Sequence, residues 1–309
     1  MRAPSDIRYV RRKDLDSGKW DACVQSSPNG MIYAYSFYLD KMARHWDALI
    51  MNDYECIMPM VWNRKWGIRY LYQPPFTQQL GIFAREPLTR ERVDQFLELV
   101  SGQFRFAEIN LNFENQSSRQ LVQRENFVLD LNKPYEELFG QYKQDLHKNL
   151  RHAAQFNLDY SDRVDLKYTL RKFKETYEDR TPQIRPNHYS RFEKLCAELM
   201  VKDMILLRSI HANDDEILAT ALVLKDKNRL YLIQSTVTPM GRKRGANHLL
   251  LDRIIREFSE QPLILDFEGS DIPGIAHFYK NFGSENQPYA FFRFNQLPWP
   301  LKLLKEKPF

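Results

Sequence analysis

Apolar positions recur along this chain with two spacings, every second residue or about every 3.6, and the switches between them predict its elements. The stretch Ile7–Arg11 reads as a strand, and helical pieces follow to about Leu39. The segments "WDALIMND", "ECIMPMVWN" and "GIRYLYQPPFTQQLGIF" predict extended chain. Val93, Phe96, Leu97 and Val100 fall on one helical face and predict a helix over residues 91–100, followed by a strand at "FAEINLNF".

The second half repeats this grammar. "FVLDL" predicts a short strand. Leu138, Tyr142, Leu146 and Leu150 recur every four positions and predict one long helix over residues 135–157. Further helices are expected over 166–179 and 188–202. Three strands follow, "MILLRSIH", "EILATALVLKD" and "RLYLIQSTV", separated by the polar turns 212–215 and 226–228. A helix starting near Asn247, a strand "PLILDF", a helix "GIAHFYKNFG" and a strand "YAFFRFN" complete the chain. Antiparallel strands followed by strand–helix–strand indicate a mixed α/β (α+β) architecture. The polar stretch "ENQSSRQ" places the boundary near 123–128, dividing the chain into domains 1–128 and 129–309.

Residues 238–258, "TPMGRKRGANHLLLDRIIREF", put two glycines and three consecutive cations at the mouth of a patterned helix. Leu250, Leu251, Ile254, Ile255 and Phe258 form its inner face; Asp252, Arg253, Arg256 and Glu257 are expected outside. The first backbone N–H groups of a helix lack intrahelical acceptors, and the macrodipole is positive there. Glycine lets the preceding backbone fold into a concavity lined by N–H groups. The combination suits a pyrophosphate, although a solvated basic turn with a glycine cap would look the same in isolation. A formal net charge of +5 agrees with an anionic ligand without demanding nucleic acid.

Other chemistries find little support. Cys23, Cys56 and Cys196 are widely spaced, which favours a reducing, cytoplasmic compartment over a disulfide framework. No apolar run approaches the roughly 20 residues that span a bilayer. His147 and His152, five residues apart, do not share a face as metal ligands would, and no metal is expected. The aromatic residues Trp62, Trp66, Tyr70, Tyr72 and Phe76 read as core and hairpin packing, or as the lining of an acceptor groove.

The order of elements and the "RKRGAN" loop resemble the GNAT superfamily of N-acyltransferases, in which an R/Q-x-x-G-x-G/A loop holds the pyrophosphate of coenzyme A. Arg242 and Gly245 match the first half of that motif; Asn247 stands where Gly or Ala is expected. "LDFEGSDIPGIAHFYKNFG" and "YKQDLHKNLRHAAQFNL" are similar to segments of Fem-like proteins, peptidoglycan bridge-forming aminoacyltransferases and their relatives. The resemblance implies two GNAT-like domains, each a mixed, mostly antiparallel sheet flanked by helices. It implies a donor site at Gln234, Arg242, Lys243, Arg244, Gly245, Ala246 and Asn247, with Gln234 and Ser235 on the strand that meets the thioester. Tyr279 resembles the tyrosine that protonates the departing thiolate, and Glu268, at the end of "PLILDF", is the candidate base. "FAREPLTRER" has Pro87 in place of a glycine-rich cationic loop, so one donor site is expected, in the second half.

The resulting expectation is an N-acyltransferase that uses a coenzyme A thioester, acetyl or longer, by direct attack of an amine carried by a small metabolite, a cell-wall precursor or a lipid. Two rivals stand beside it. One is a Fem-type enzyme using aminoacyl-tRNA on a cell-wall precursor. The other is a non-catalytic module that binds RNA or a membrane surface through Lys143, His147, Lys148, Arg151 and His152 and the tail "LPWPLKLLKEKPF".

Overall fold

The computed structural model of the chain describes residues 6–178, 184–213, 216–269 and 271–305. Two units are present, Met1–Arg124 with Pro288–Phe309, and Glu125–Gln287. The first contains β1 (Ile7–Arg11), α1 (Ser17–Ser26), α2 (Ser36–Met42), β2 (His45–Met51), β3 (Cys56–Lys65), β4 (Ile68–Tyr72), β5 (Phe83–Ala84), α3 (Arg90–Gln103), β6 (Phe106–Asn110) and β7 (Val122–Arg124). The second contains β8 (Phe127–Asp130), α4 (Tyr135–Gly140), α5 (Gln144–Ala153), β9 (Asp159–Ser161), α6 (Leu166–Tyr177), α7 (Pro186–Val201), β10 (Ile205–His211), β11 (Ile217–Lys225), β12 (Arg229–Val237), α8 (Pro239–Lys243), α9 (Ala246–Phe258), β13 (Ile264–Asp266), α10 (Pro273–Lys280) and β14 (Glu285–Asn286). The last strand, β15 (Tyr289–Asn295), returns to the first unit, where it pairs antiparallel with β6 and β7.

The first sheet runs β1-β2-β3-β4-β6-β15-β7, with β5 on β3. Its one parallel pair among the described residues is β4/β6, joined through α3. Val93, Phe96, Leu97 and Val100 of α3 pack on Met58, Met60, Leu71 and Ala107, the face their spacing predicts. The second sheet runs β14-β8-β13-β12-β11-β10-β9. Its one parallel pair among the described residues is β12/β13, joined through α8 and α9. The coarse duplication in the sequence thus corresponds to two mixed sheets, each with a helical crossover between two parallel strands.

α9 buries Leu250, Leu251, Ile254 and Ile255 against Ala219, Ala221 and Val223 of β11 and Ile210 of β10. Each such side chain contributes about 1.5–3 kcal/mol of burial. Asp252, expected on the outer face of this helix, is 4% exposed and accepts a 2.7 Å bond from Tyr135 Oη of α4. α4 and α5 cover a second side of α9, so its buried arc is wider than a single apolar stripe.

The expected long helix over residues 135–157 is broken. α4 stops at Gly140, and Lys143 N–H donates to Asn281 O at 2.9 Å instead of continuing the helical ladder. The turn after α10 crosses closely here: a Cβ on Gly283 would lie 2.9 Å from Gln141 Cβ. A tertiary contact overrides an unbroken four-residue period. The helix expected over 166–179 ends at Tyr177 in the structure; Asp179 lies outside the described residues, as do Asp214 and Asp215 of the expected 212–215 turn and the last four residues of the tail.

Where β12 and β13 meet, Arg229 Nη1 lies 2.6 Å from Asp266 Oδ2, with side chains 5% and 0% exposed. Asn126 Nδ2 donates to the same oxygen at 3.2 Å, and Arg229 Nη2 donates to Gln287 at 3.0 Å. This satisfied buried pair clamps the two strands at their last paired residues, Tyr231 and Asp266.

Candidate functional site

Beyond that clamp the strands part. β13 pairs with β12 only from Arg229↔Ile264 to Tyr231↔Asp266, while β12 runs on to Val237 paired with β11. β12 also skips one residue against β11: Leu222 faces Gln234 and Val223 faces Leu232, leaving Ile233 as a bulge. A bulge re-aims the side chains that follow it. Ser235 turns toward α9, where its Oγ donates to Asn247 Oδ1 at 2.6 Å. The carbonyl of Ser235 accepts from Tyr177 Oη at 3.2 Å, so the end of α6 reaches the strand where β13 no longer covers it.

Gln234 is 2% exposed, and neither its amide nitrogen nor its amide oxygen has a hydrogen-bond partner. Such a group costs about 1–3 kcal/mol relative to a satisfied one. It stands beside the bulge, where the strands separate.

The "TPMGRKRGAN" segment is ordered into helix rather than open loop. Thr238 caps α8 by accepting from Gly241 N–H at 3.0 Å. Gly241 is required because a Cβ there would sit 2.3 Å from Leu218 O. Gly245 occupies the left-handed region (φ +69°) as the N-cap of α9 and supplies no side-chain acceptor. The N–H groups of Ala246 and Asn247, the first in α9, therefore have neither a capping side chain nor an intrahelical acceptor. α3 of the first unit differs: Thr89 Oγ1 caps it by accepting from Arg92 N–H at 3.3 Å, and Glu91 adds negative charge to its first turn.

The cations of the loop separate. Arg244 lies 5.7 Å from the Phe156 ring, and the carbonyl of Lys243 contacts His152 Nε2 at 2.9 Å, so both approach the end of α5. Arg242 instead lines a cleft of about 290 Å³ with Tyr168, Lys172 and Glu175 of α6 and Thr220 and Thr236 of the sheet.

On the other side of the opening, β13 leads into Glu268 and Gly269, both at positive φ (+62° and +55°). Glu268 N–H donates to Asp266 Oδ1 at 2.9 Å. Left-handed backbone at a non-glycine residue stores about 1–3 kcal/mol and clusters at functional sites. Tyr279 of α10 stacks on Phe267 with ring centroids 4.8 Å apart. Burial pushes the Tyr279 hydroxyl well above the ordinary tyrosine range, and the nearby carboxylates of Glu268 and Asp266 add to this. At neutral pH it therefore carries its proton.

Ser235 and Asn247 are thus joined beside the bulge, Gln234 precedes Ser235 on the same strand, and Glu268 and Tyr279 follow the facing strand. Tyr177 and His248 were not found by sequence reasoning. His248, in the first turn of α9, lies edge-on to Phe278 at 5.1 Å, and burial lowers its pKa, keeping the ring neutral. The only sequence signal for Tyr177 is its four-residue spacing from Phe173, whose ring it meets at 5.0 Å. Cys23, Cys56 and Cys196 are free and buried. Among the described residues no group of three or more His, Cys, Asp or Glu is arranged to hold a metal, and no helix is long and apolar enough to cross a membrane.

Residues 140–281 match the acetyltransferase (GNAT) domain family. No curated protein matches the sequence. Among solved structures, FemX is similar over 97% of this chain and 100% of its own, with 14% identity and a TM-score of 0.68. A tandem GNAT protein from the clavulanic acid biosynthesis pathway is similar over 95% and 99%, with 11% identity and a TM-score of 0.51. L-PGS from Bacillus licheniformis is similar over 94% and 95%, with 9% identity and a TM-score of 0.53. Residues 140–281 are therefore a GNAT domain, set in a chain that has the Fem-like GNAT acyltransferase fold over nearly its whole length.

Proposed function

We propose that the chain is an N-acyltransferase that moves an acyl group from a coenzyme A thioester to an amine by direct attack. The observation that carries this reading is the parted β12/β13 pair, with an unpartnered buried amide at its bulge and the uncapped N-terminus of α9 tied to the same strand by the Ser235–Asn247 bond. A thioester arm fits between strands whose edges are unpaired, with its pyrophosphate on the N–H groups of Ala246 and Asn247 and the charges of Lys243 and Arg244 beside it. Arg242 extends this positive region toward α6.

The amine nitrogen attacks the thioester carbonyl carbon. The tetrahedral oxyanion needs hydrogen-bond donors, and the Gln234 amide is a donor without another use. Glu268 takes the ammonium proton. The C–S bond then breaks, Tyr279 supplies a proton to the thiolate, and the proton taken by Glu268 passes through solvent to the Tyr279 phenolate, restoring both groups. The acceptor is an amine on a small metabolite, a cell-wall precursor or a lipid, and the reaction belongs in the cytoplasm, where coenzyme A thioesters are made.

Calorimetric titration with acetyl-CoA tests this reading. One site per chain is expected, because α3 is closed by Thr89 and Glu91. A crystal soaked with the donor should place its pyrophosphate against residues 244–247. Absence of binding, or a stoichiometry of two, would overturn it. Consumption of aminoacyl-tRNA without coenzyme A binding would transfer the chemistry to the Fem-type donor, which the exposed Lys148 and Arg151 on α5 would favour.

A further inference from the structure

The first unit carries a cleft that the acyl-transfer site does not use. It has a volume of about 340 Å³ and is floored by Ile68, Tyr70 and Tyr72 of β4 and Phe106 of β6, with Leu297 and Leu301 of the segment after β15 as its far wall. That segment is tied down: Asn295 Nδ2 donates to Lys302 O at 3.1 Å, and Arg293 donates to Lys305 O. The acid in the cleft, Glu108, is neutralised by Arg293 Nε at 3.1 Å. The floor is therefore apolar and aromatic without net charge.

The rim is different. Lys65 and Lys305 stand on it, their ammonium groups 4.5 Å from the Trp66 ring and 5.4 Å from the Phe106 ring. Trp66 sits at the tip of the β3–β4 hairpin, where Lys65 pairs with Ile68 and the two-residue turn requires positive φ at both positions. Trp66 has φ +50° and is 69% exposed, although glycine or asparagine would relieve the backbone and remove the exposed ring. Trp299 and Leu303, on the same segment as the far wall, are 79% and 54% exposed, with Lys302 exposed between them. Trp66 thus stands exposed at the mouth of an apolar slot, and Trp299 stands exposed on the segment that forms the far wall of that slot.

We propose that this face docks on an anionic lipid surface, with an acyl chain in the cleft, Trp66 and Trp299 at headgroup level, and Lys65, Lys302 and Lys305 against the negative charge. The charge pattern favours this occupant: a neutral apolar floor matches a hydrocarbon chain, and a cationic rim matches phosphate headgroups. Indole rings, with an apolar body and one polar N–H, concentrate at that interface. The inference rests on residues of the first unit alone and is independent of the donor site.

The test is co-sedimentation of the full chain with phosphatidylcholine vesicles, with and without phosphatidylglycerol. Binding is expected to the anionic vesicles and to weaken with salt. Each lysine near such a surface is worth about fivefold in affinity, so K65Q/K305Q should bind on the order of 25-fold more weakly. W66G relieves the turn and should fold at least as well by circular dichroism, yet bind more weakly to the same vesicles; W299A should do likewise. Unchanged binding by these three variants, or binding lost instead on K148Q/R151Q in α5, would overturn the proposal. So would failure to sediment with anionic vesicles, including the case in which an apolar peptide binds the cleft instead.

Discussion

Ser235 Oγ and Asn247 Oδ1 lie 2.6 Å apart, so the strand that bulges at Ile233 is tied directly to the first turn of α9. A single hydrogen bond thus links the proposed thioester strand to the proposed pyrophosphate helix. S235A and N247A should each lower stability by about 1 kcal/mol, the usual net worth of such a bond. The double variant should lose less than the sum of the two, and urea titration of all four proteins checks this. Additive losses would mean that the two side chains act separately.

Gln234 offers a sharper separation of stability from function. Its amide is buried and unpartnered, so Gln234→Leu should stabilise the unliganded chain by about 1–3 kcal/mol. If the amide stabilises the oxyanion, kcat should fall by about 10²–10³-fold. Thermal melts and turnover on one preparation measure both effects. A stabilised variant with full activity would remove Gln234 from the mechanism.

Glu268 and Tyr279 are expected to act on proton transfers. Glu268→Gln should lower kcat by about 10²–10⁴-fold with little change in donor affinity, and its remaining rate should rise with pH as the acceptor amine deprotonates unaided. Glu268→Gly should relieve the backbone at φ +62° and raise the melting temperature while activity falls in the same way. Tyr279→Phe should slow poor thiolate leaving groups more than good ones. Wild-type rates in both Glu268→Gln and Tyr279→Phe would leave catalysis to substrate positioning.

Asp252 predicts a pH signature unrelated to catalysis. Burial raises its folded-state pKa, against bonds from Tyr135 that lower it. Both folded and unfolded forms are protonated below about pH 4, where its contribution to stability is most favourable. That contribution is lost as pH rises through the folded pKa, since a buried charge must then be carried. Asp252→Asn should therefore match wild type in acid and exceed it at neutral pH. Denaturant titrations across that range test the sign; a variant less stable at pH 7 would show that the carboxylate is favourably held.

Much of the fold was legible because its elements bury one face with a regular period. α3 and α9 follow directly from Val93–Phe96–Leu97–Val100 and Leu250–Leu251–Ile254–Ile255. Features set by tertiary contact were not legible. The break at residues 141–143 comes from Asn281 O and the turn at Gly283, nearly 140 residues away in sequence. The Arg229–Asp266 clamp joins two residues that each look like an ordinary polar strand end. Of the proposed site, only features of local chemistry were legible: a glycine at a helix start, or an acid after a buried strand. The bulge at Ile233 has no local marker, since it exists only in the register between β11 and β12. Without it, neither the isolation of Gln234 nor the turn of Ser235 toward Asn247 could be anticipated.

The return of β15 to the first sheet has a consequence for how the chain is made. The strand that pairs with β6 and β7 begins 165 residues after the end of β7 and 179 after the end of β6. At about 5–20 residues per second of ribosomal synthesis, roughly 10–30 seconds pass between the emergence of β7 and that of β15. During that interval the edge of β6 has no strand to cover it, while the whole of Glu125–Gln287 can emerge and fold as a unit. The GNAT domain should therefore reach its final form on the nascent chain before the N-terminal unit does. A chain arrested when residue 287 has just emerged from the ribosome should resist protease in its second unit and be cut in its first.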